Sequence, residues 1–181
     1  MKKLICVLVV LTAAFWFSGC SDSNITGLEQ NSQVKTQAVP FKGTWEGAAT
    51  TPHPEMYPTP KEISCKGNCT HLGLFNADVN YMITYYDINN PLLGGYAIQG
   101  SAVMTAANGD KVYLGNLGGE WWFRDPGTFS TVEFTTVSDI VGGTGKFEGA
   151  TGHFEGSGTQ NFYFTNQPQE TWFSWSGNIN Y

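Results

Sequence analysis

The chain has 181 residues, 41% hydrophobic and 14% aromatic, with 9 Lys+Arg against 15 Asp+Glu and a formal charge of −6. Arg124 is the only arginine and the lysines form no cluster. That excludes nucleic-acid binding, since neutralising phosphates takes several cations on one face, and it excludes electrostatic attraction to an anionic membrane surface.

Met1-Lys2-Lys3 supplies a positive start, and Leu4 to Phe17 is a largely apolar run. That run is shorter than the roughly 20 residues a bilayer-spanning helix needs, so residues 1–19 read as a secretory signal peptide. The run ends in Ser18-Gly19-Cys20. Small residues directly before a cysteine resemble a bacterial lipobox. The resemblance implies cleavage before Cys20 and acylation of it (palmitate among the chains), making the product a lipoprotein held on a membrane by its anchor. The alternative is ordinary cleavage that leaves Cys20 a free thiol. Ser21, rather than aspartate, after the cysteine leans toward the outer membrane of a bacterial cell envelope over the inner one. Cleavage removes Lys2 and Lys3 of the nine cations, leaving 7 against 15 acidic residues and a formal charge of −8. Residues 20–40 are polar, aperiodic and end in Pro40, as a flexible tether does. The remainder, 41–181, is of a size for one domain with one core.

Phe41–Thr50 reads as a first strand. In Thr51–Asn68, Pro52, Pro54, Pro58 and Pro60 interrupt any strand. This stretch is expected to be a long loop, either a lid over one end of the fold or a plain surface excursion. Cys65 and Cys69 follow at C-x3-C spacing; Cys6 leaves with the signal. Export places the pair in an oxidising compartment, which favours a small-loop disulfide. A metal site with His53 and His71 is the alternative, but C-x3-C lacks the second pair that zinc sites carry. No metal and no cofactor is implied.

Alternation takes over from there. Phe75, Ala77, Val79, Tyr81, Ile83 and Tyr85 share one face, against Asn76, Asp78, Asn80 and Thr84. Tyr96, Ile98, Ala102 and Met104 face away from Gln99 and Ser101. Asn108-Gly109-Asp110 is a hairpin signal between Ser101–Ala107 and Lys111–Phe123. Within the latter, Trp121 and Trp122 must point to opposite faces. One fills the core and the other meets solvent or a cavity, where indole stacks on sugars or lines an apolar mouth, so both are candidate ligand-binding residues. Trp172 and Trp175 read as packing residues. Arg124-Asp125-Pro126-Gly127 is a turn by composition before a strand at Phe129–Ser138.

Ile140 to Gly158 is dense in glycine. Gly142, Gly143, Gly145, Phe147, Gly149 and Gly152 predict a tight structural turn, and Phe147-Glu148-Gly149 and Phe154-Glu155-Gly156 predict short, sharply bent strands. Asn166-Gln167-Pro168 separates Asn161–Phe164 from a last strand with Phe173, Trp175, Ile179 and Tyr181 on one face. No segment has helical periodicity. The prediction is an all-β domain, an antiparallel up-and-down closed β-barrel of about eight strands, because closure removes the exposed edges of such a meander. A β-sandwich is the alternative.

The wording GGTGKF, then GATG, at Gly142–Phe147 and Gly149–Gly152 resembles the signature of dirigent proteins and of bacterial proteins in the allene-oxide-cyclase-like barrel group. Thr70-His71-Leu72-Gly73 is similar to a segment in the bacterial members. The resemblance implies the barrel, and with it a cyclase-like or coupling-guide role toward apolar molecules. No catalytic residue of the dirigent proteins or allene oxide cyclases transfers, since only the glycine turn matches theirs.

No G-x-S-x-G, H-E-x-x-H, P-loop or calcium-loop pattern is present. His71 reads first as a hydrogen bond closing the barrel and otherwise as a catalytic candidate, as does Glu120 beside the paired tryptophans. Glu133 alternates with Val132 and Phe134. The expectation is a non-enzymatic envelope protein that binds a small apolar or glycan ligand, or another envelope component. The alternatives are a cyclase or isomerase with His71 or Glu120 as proton carriers, and a structural surface protein.

Overall fold

The computed structural model of the chain describes residues 37–162 and 167–181. The signal segment 1–19, Cys20 with its expected lipid, residues 21–36 of the tether and residues 163–166 lie outside the described residues.

Eight strands run in chain order: β1 Val39–Thr50, β2 Thr59–Cys69, β3 Gly73–Tyr85, β4 Gly95–Ala106, β5 Lys111–Phe123, β6 Thr131–Gly143, β7 Thr151–Asn161 and β8 Gln169–Asn180. Each pairs antiparallel with the next, and β1 pairs with β8 from Val39↔Ile179 to Ala49↔Gln169. That seam makes the sheet an up-and-down closed barrel, with no edge left unpaired, and removes the sandwich alternative.

Period-two alternation sorts the side chains. Odd positions of β1, β2, β3 and β8 and even positions of β7 face the lumen, as their buried positions show. Three bulges break the parity, one of them at Val141, the extra residue of β6 against β5. Gln99 (φ 55°) carries the extra residue of β4 against β3, and Asn116 (φ 51°) that of β5 against β6. Each reverses which face later residues take. Tyr96 therefore lies outside the barrel, 44% exposed, while Ala102 and Met104 face in, which corrects the shared face read from alternation alone.

Aromatic rings fill the lower end, where β2–β3, β4–β5 and β6–β7 connect. Phe41, Phe75 and Phe154 surround Trp175 with ring centroids within 5.8–5.9 Å. Such contacts add about 0.5–1.5 kcal/mol each beyond area burial. The glycine turn closes this end. Gly145 (φ 60°) starts a short 3-10 turn, Gly145–Phe147, that drives the fully buried Phe147 ring under the barrel. Gly149 belongs to the same connection, whereas Gly142 and Gly143 end β6 and Gly152 is already in β7. The expected second bend at Phe154-Glu155-Gly156 is instead the middle of β7, an eleven-residue strand. Gly156 and Gly158 serve there as gaps, since a Cβ on either would meet the Phe173 or Phe134 ring at 2.6 and 2.4 Å.

The proline-rich stretch is also shorter than predicted. Pro60 pairs with Met82 inside β2, so only residues 51–58 form the loop. Backbone pairing with β3 overrides the local proline signal, which an early strand position tolerates. Likewise β6 begins at Thr131; Phe129 stays in the connection and packs on Phe123 at 5.2 Å.

Candidate functional site

Above the aromatic floor the lumen is not filled. Small inward residues, Ala77, Ala97 and Ala102, leave room, and the result is a cavity of about 260 Å³. Its wall is largely apolar: Ile63, Val79, Leu114, Leu117, Trp121 and Phe123. Toward the upper end it is bordered by Pro91 and Leu92 of the 3-10 turn Pro91–Leu93 and by Phe162. The segment over the mouth is thus the β3–β4 connection. The predicted lid, the 51–58 loop, contributes only the stacking of Tyr57 on Tyr85 at 5.8 Å.

The polar groups of the cavity are few. Lys61 on β2 faces inward and is 7% exposed. Burial alone pulls its amine down from 10.5 to about 8, because a low-dielectric wall disfavours the charged form. Tyr81 is its register partner on β3 and also lines the cavity, and burial raises its phenol well above the usual range. Gln160 is tied to Gln169 and Thr171 in a buried hydrogen-bonded group. Trp175 Nε1 is buried with no acceptor among the described residues.

The bulge at Asn116 decides the tryptophan pair. Trp121 turns into the cavity and donates its indole N–H to the Thr84 carbonyl at 3.3 Å. Trp122 turns outward and donates to Glu133 Oε2 at 3.1 Å. Arg124 Nε donates to Glu133 Oε1 at 2.7 Å, and these bonds, Arg124 first, hold the Glu133 carboxyl below its ordinary range. Trp172, expected to pack, is 42% exposed on the outer face; only Trp175 packs.

The two catalytic candidates are at opposite ends of the barrel. Glu120 borders the cavity but is exposed on the β5 face that pairs with Tyr96, and its carboxylate bonds the Tyr86 phenol. Burial and then Glu120 raise that phenol. His71 (φ 71°) sits in the β2–β3 turn at the lower end. Its Nε2 lies 3.0 Å from the Pro40 carbonyl, which can only accept, so Nε2 carries the proton and Nδ1 accepts from Tyr181 Oη at 2.9 Å. Thr70 Oγ1 donates to the same carbonyl, and Lys146 Nζ donates to the His71 carbonyl. This ties the starts of β1 and β3, the end of β8 and the glycine turn into one seam.

The predicted disulfide is absent: Cys65 and Cys69 are free and buried. Their Lys-Gly-Asn spacer looks like a loop, yet it pairs without interruption with both β1 and β3. Four extended residues separate the Cα atoms by about 13 Å, and a bridge needs them within about 7 Å. Burial, with Asp78 adding, pushes the Cys65 thiol up to about 12; burial pushes that of Cys69 up to about 11. His53 pairs with Glu55 at 3.3 Å in the exposed loop. Among the described residues, no three of His, Cys, Asp or Glu come together as metal ligands do.

Comparison with protein-family models and with curated proteins finds no match. Among solved structures, that of the pterocarpan synthase dirigent protein GePTS1 is similar to this chain. The two share 13% sequence identity with a TM-score of 0.42, over 80% of this chain and 86% of that one. The barrel here rests on its own strand pairing.

Proposed function

We propose that this chain is an exported, lipid-anchored envelope protein, held by acylated Cys20 and a short tether, whose barrel binds a small apolar ligand in its lumen. The observation that carries the ligand reading is the cavity of about 260 Å³ with an apolar wall above a filled floor. By scaling from a dry cavity of about 150 Å³ that takes benzene, it suits a molecule on the order of ten non-hydrogen atoms. A non-catalytic role is favoured because the two proton-carrier candidates, His71 and Glu120, do not converge on that space. The anchor reading is supported by the Lys2-Lys3 start, the short apolar run and Ser18-Gly19-Cys20.

Titration with naphthalene, read by ¹H–¹⁵N spectra, tests the lumen. The indole N–H signals of Trp121 and Trp175 should shift while that of Trp172 stays. Unmoved signals, or movement confined to Trp172, would overturn the reading. Intact-mass measurement of the protein taken from bacterial membranes should find a chain starting at Cys20 plus acyl mass; an unacylated chain would remove the anchor.

A glycan on the outer face is the second reading. Trp122, Glu133, Thr159 and Trp172 form one cross-strand row on β5 to β8. It borders an open groove and places two indoles about 14 Å apart, three strand spacings. Soluble hexasaccharides should then change tryptophan emission in the wild type and not in Trp172→Ala.

A further inference from the structure

Lys61 is the one cation in a largely apolar wall. Its neighbours along the inward face of β2 are Thr59, Ile63 and Cys65, all buried. It makes no ion pair and no side-chain hydrogen bond among the described residues. The carboxylates nearest in sequence or at the cavity margin are no counter-ions for it: Glu62 points outward from β2, and Glu120 is exposed and bonded to Tyr86. An ammonium taken out of water without a partner is among the costlier features a core can hold, and replacing it with a hydrocarbon side chain relieves that cost. Its presence makes sense when something else brings the negative charge.

The register supplies a second group. Lys61 stands directly opposite Tyr81 and both face the lumen, so their Cβ atoms are about 5 Å apart. The Tyr81 hydroxyl makes no side-chain hydrogen bond among the described residues either. An ammonium and a phenolic O–H side by side form a two-donor clamp that matches the two oxygens of a carboxylate. The rest of the wall suits hydrocarbon.

We propose that the ligand of this cavity is an apolar carboxylic acid whose carboxylate is held by Lys61 and Tyr81. The proposal deepens the lumen-binding reading and rests on it. The body of the acid, aliphatic or aromatic, lies against Ile63, Val79, Leu117 and Trp121. The amine is still mostly protonated at neutral pH with its pKa near 8, and an arriving anion would hold it in that form.

Three probes of one shape test it by calorimetry: 2-naphthoate, the uncharged 2-naphthamide and naphthalene. The wild type should bind naphthoate at least tenfold more tightly than the amide. In Lys61→Met that preference should vanish while naphthalene binding persists. In Tyr81→Phe, naphthoate should weaken several-fold and naphthalene should not. Equal affinity of naphthoate and amide for the wild type, or a preference that survives in Lys61→Met, would overturn the proposal and leave an apolar pocket standing. Failure of all three probes on the wild type would overturn the lumen reading and this proposal with it.

Discussion

Replacing Lys61 with methionine should make the ligand-free protein more stable at neutral pH. Lys61 is 7% exposed, and its amine falls from 10.5 in the unfolded chain to about 8 in the barrel. At ~1.4 kcal/mol per pH unit that difference is worth about 3 kcal/mol against folding. Below pH 8 both states hold the proton and the penalty is complete. Between pH 8 and 10.5 the folded protein has released a proton that the unfolded chain still binds, so stability climbs with pH. Above 10.5 the charge is gone from both states and the penalty with it. Urea unfolding of wild type and Lys61→Met, each stripped of ligand, reads the effect. The variant should be more stable by about 2–3 kcal/mol at pH 7, with the gap shrinking toward zero by pH 10.5. Cys65, Cys69, Tyr81 and Tyr86 also have raised pKa values. They are common to both proteins and largely cancel in the difference. A variant no more stable than wild type at pH 7, or a gap independent of pH, would refute the picture of an uncompensated buried ammonium.

Phe147→Ala empties the barrel floor and should cost about 3–5 kcal/mol in urea unfolding, because Phe147 is fully buried and its ring lies 5.1 Å from that of Tyr181. Gly43→Ala places a Cβ 2.4 Å from the Cys69 Cβ and 2.5 Å from the Trp175 ring, an overpacking expected to cost about 1–3 kcal/mol by the same measurement. In the native protein at pH 8 the peptides bearing Cys65 and Cys69 should resist iodoacetamide, since thiols held at about 12 and 11 yield little thiolate; in guanidinium both should label fully, and mass spectrometry would find no bridge between them. His71→Ala should lose about 1–2 kcal/mol of stability through the Pro40 and Tyr181 bonds, with naphthalene affinity unchanged because the seam is at the end away from the cavity mouth.

Much of the architecture was legible as local pattern. Alternation in β3 names every residue it sends to the cavity, from Phe75 to Tyr85. The Asn108-Gly109-Asp110 turn lies between β4 and β5, and the Gly142–Gly149 wording lies where the chain turns under the barrel. These are short-range consequences of side-chain period and backbone freedom, so sequence alone determined them. The cavity is not legible in the sequence, because its key residue lies in a proline-rich stretch with the composition of a loop. Pro58 and Pro60 conceal the start of β2, and Lys61 gains an inward direction only once β3 pins that segment as a strand. Cys65 and Cys69 are hidden for the same reason: Lys66-Gly67-Asn68 has the composition of a turn, and its neighbours on both sides make it a ribbon. Only the tertiary structure decided which tryptophan enters the lumen. Gln99 and Asn116 each add one residue against a partner strand, and a bulge exists only relative to the strand it faces. Parity along a strand is written in its own residues, but the reference for that parity comes from pairing, which no single segment carries.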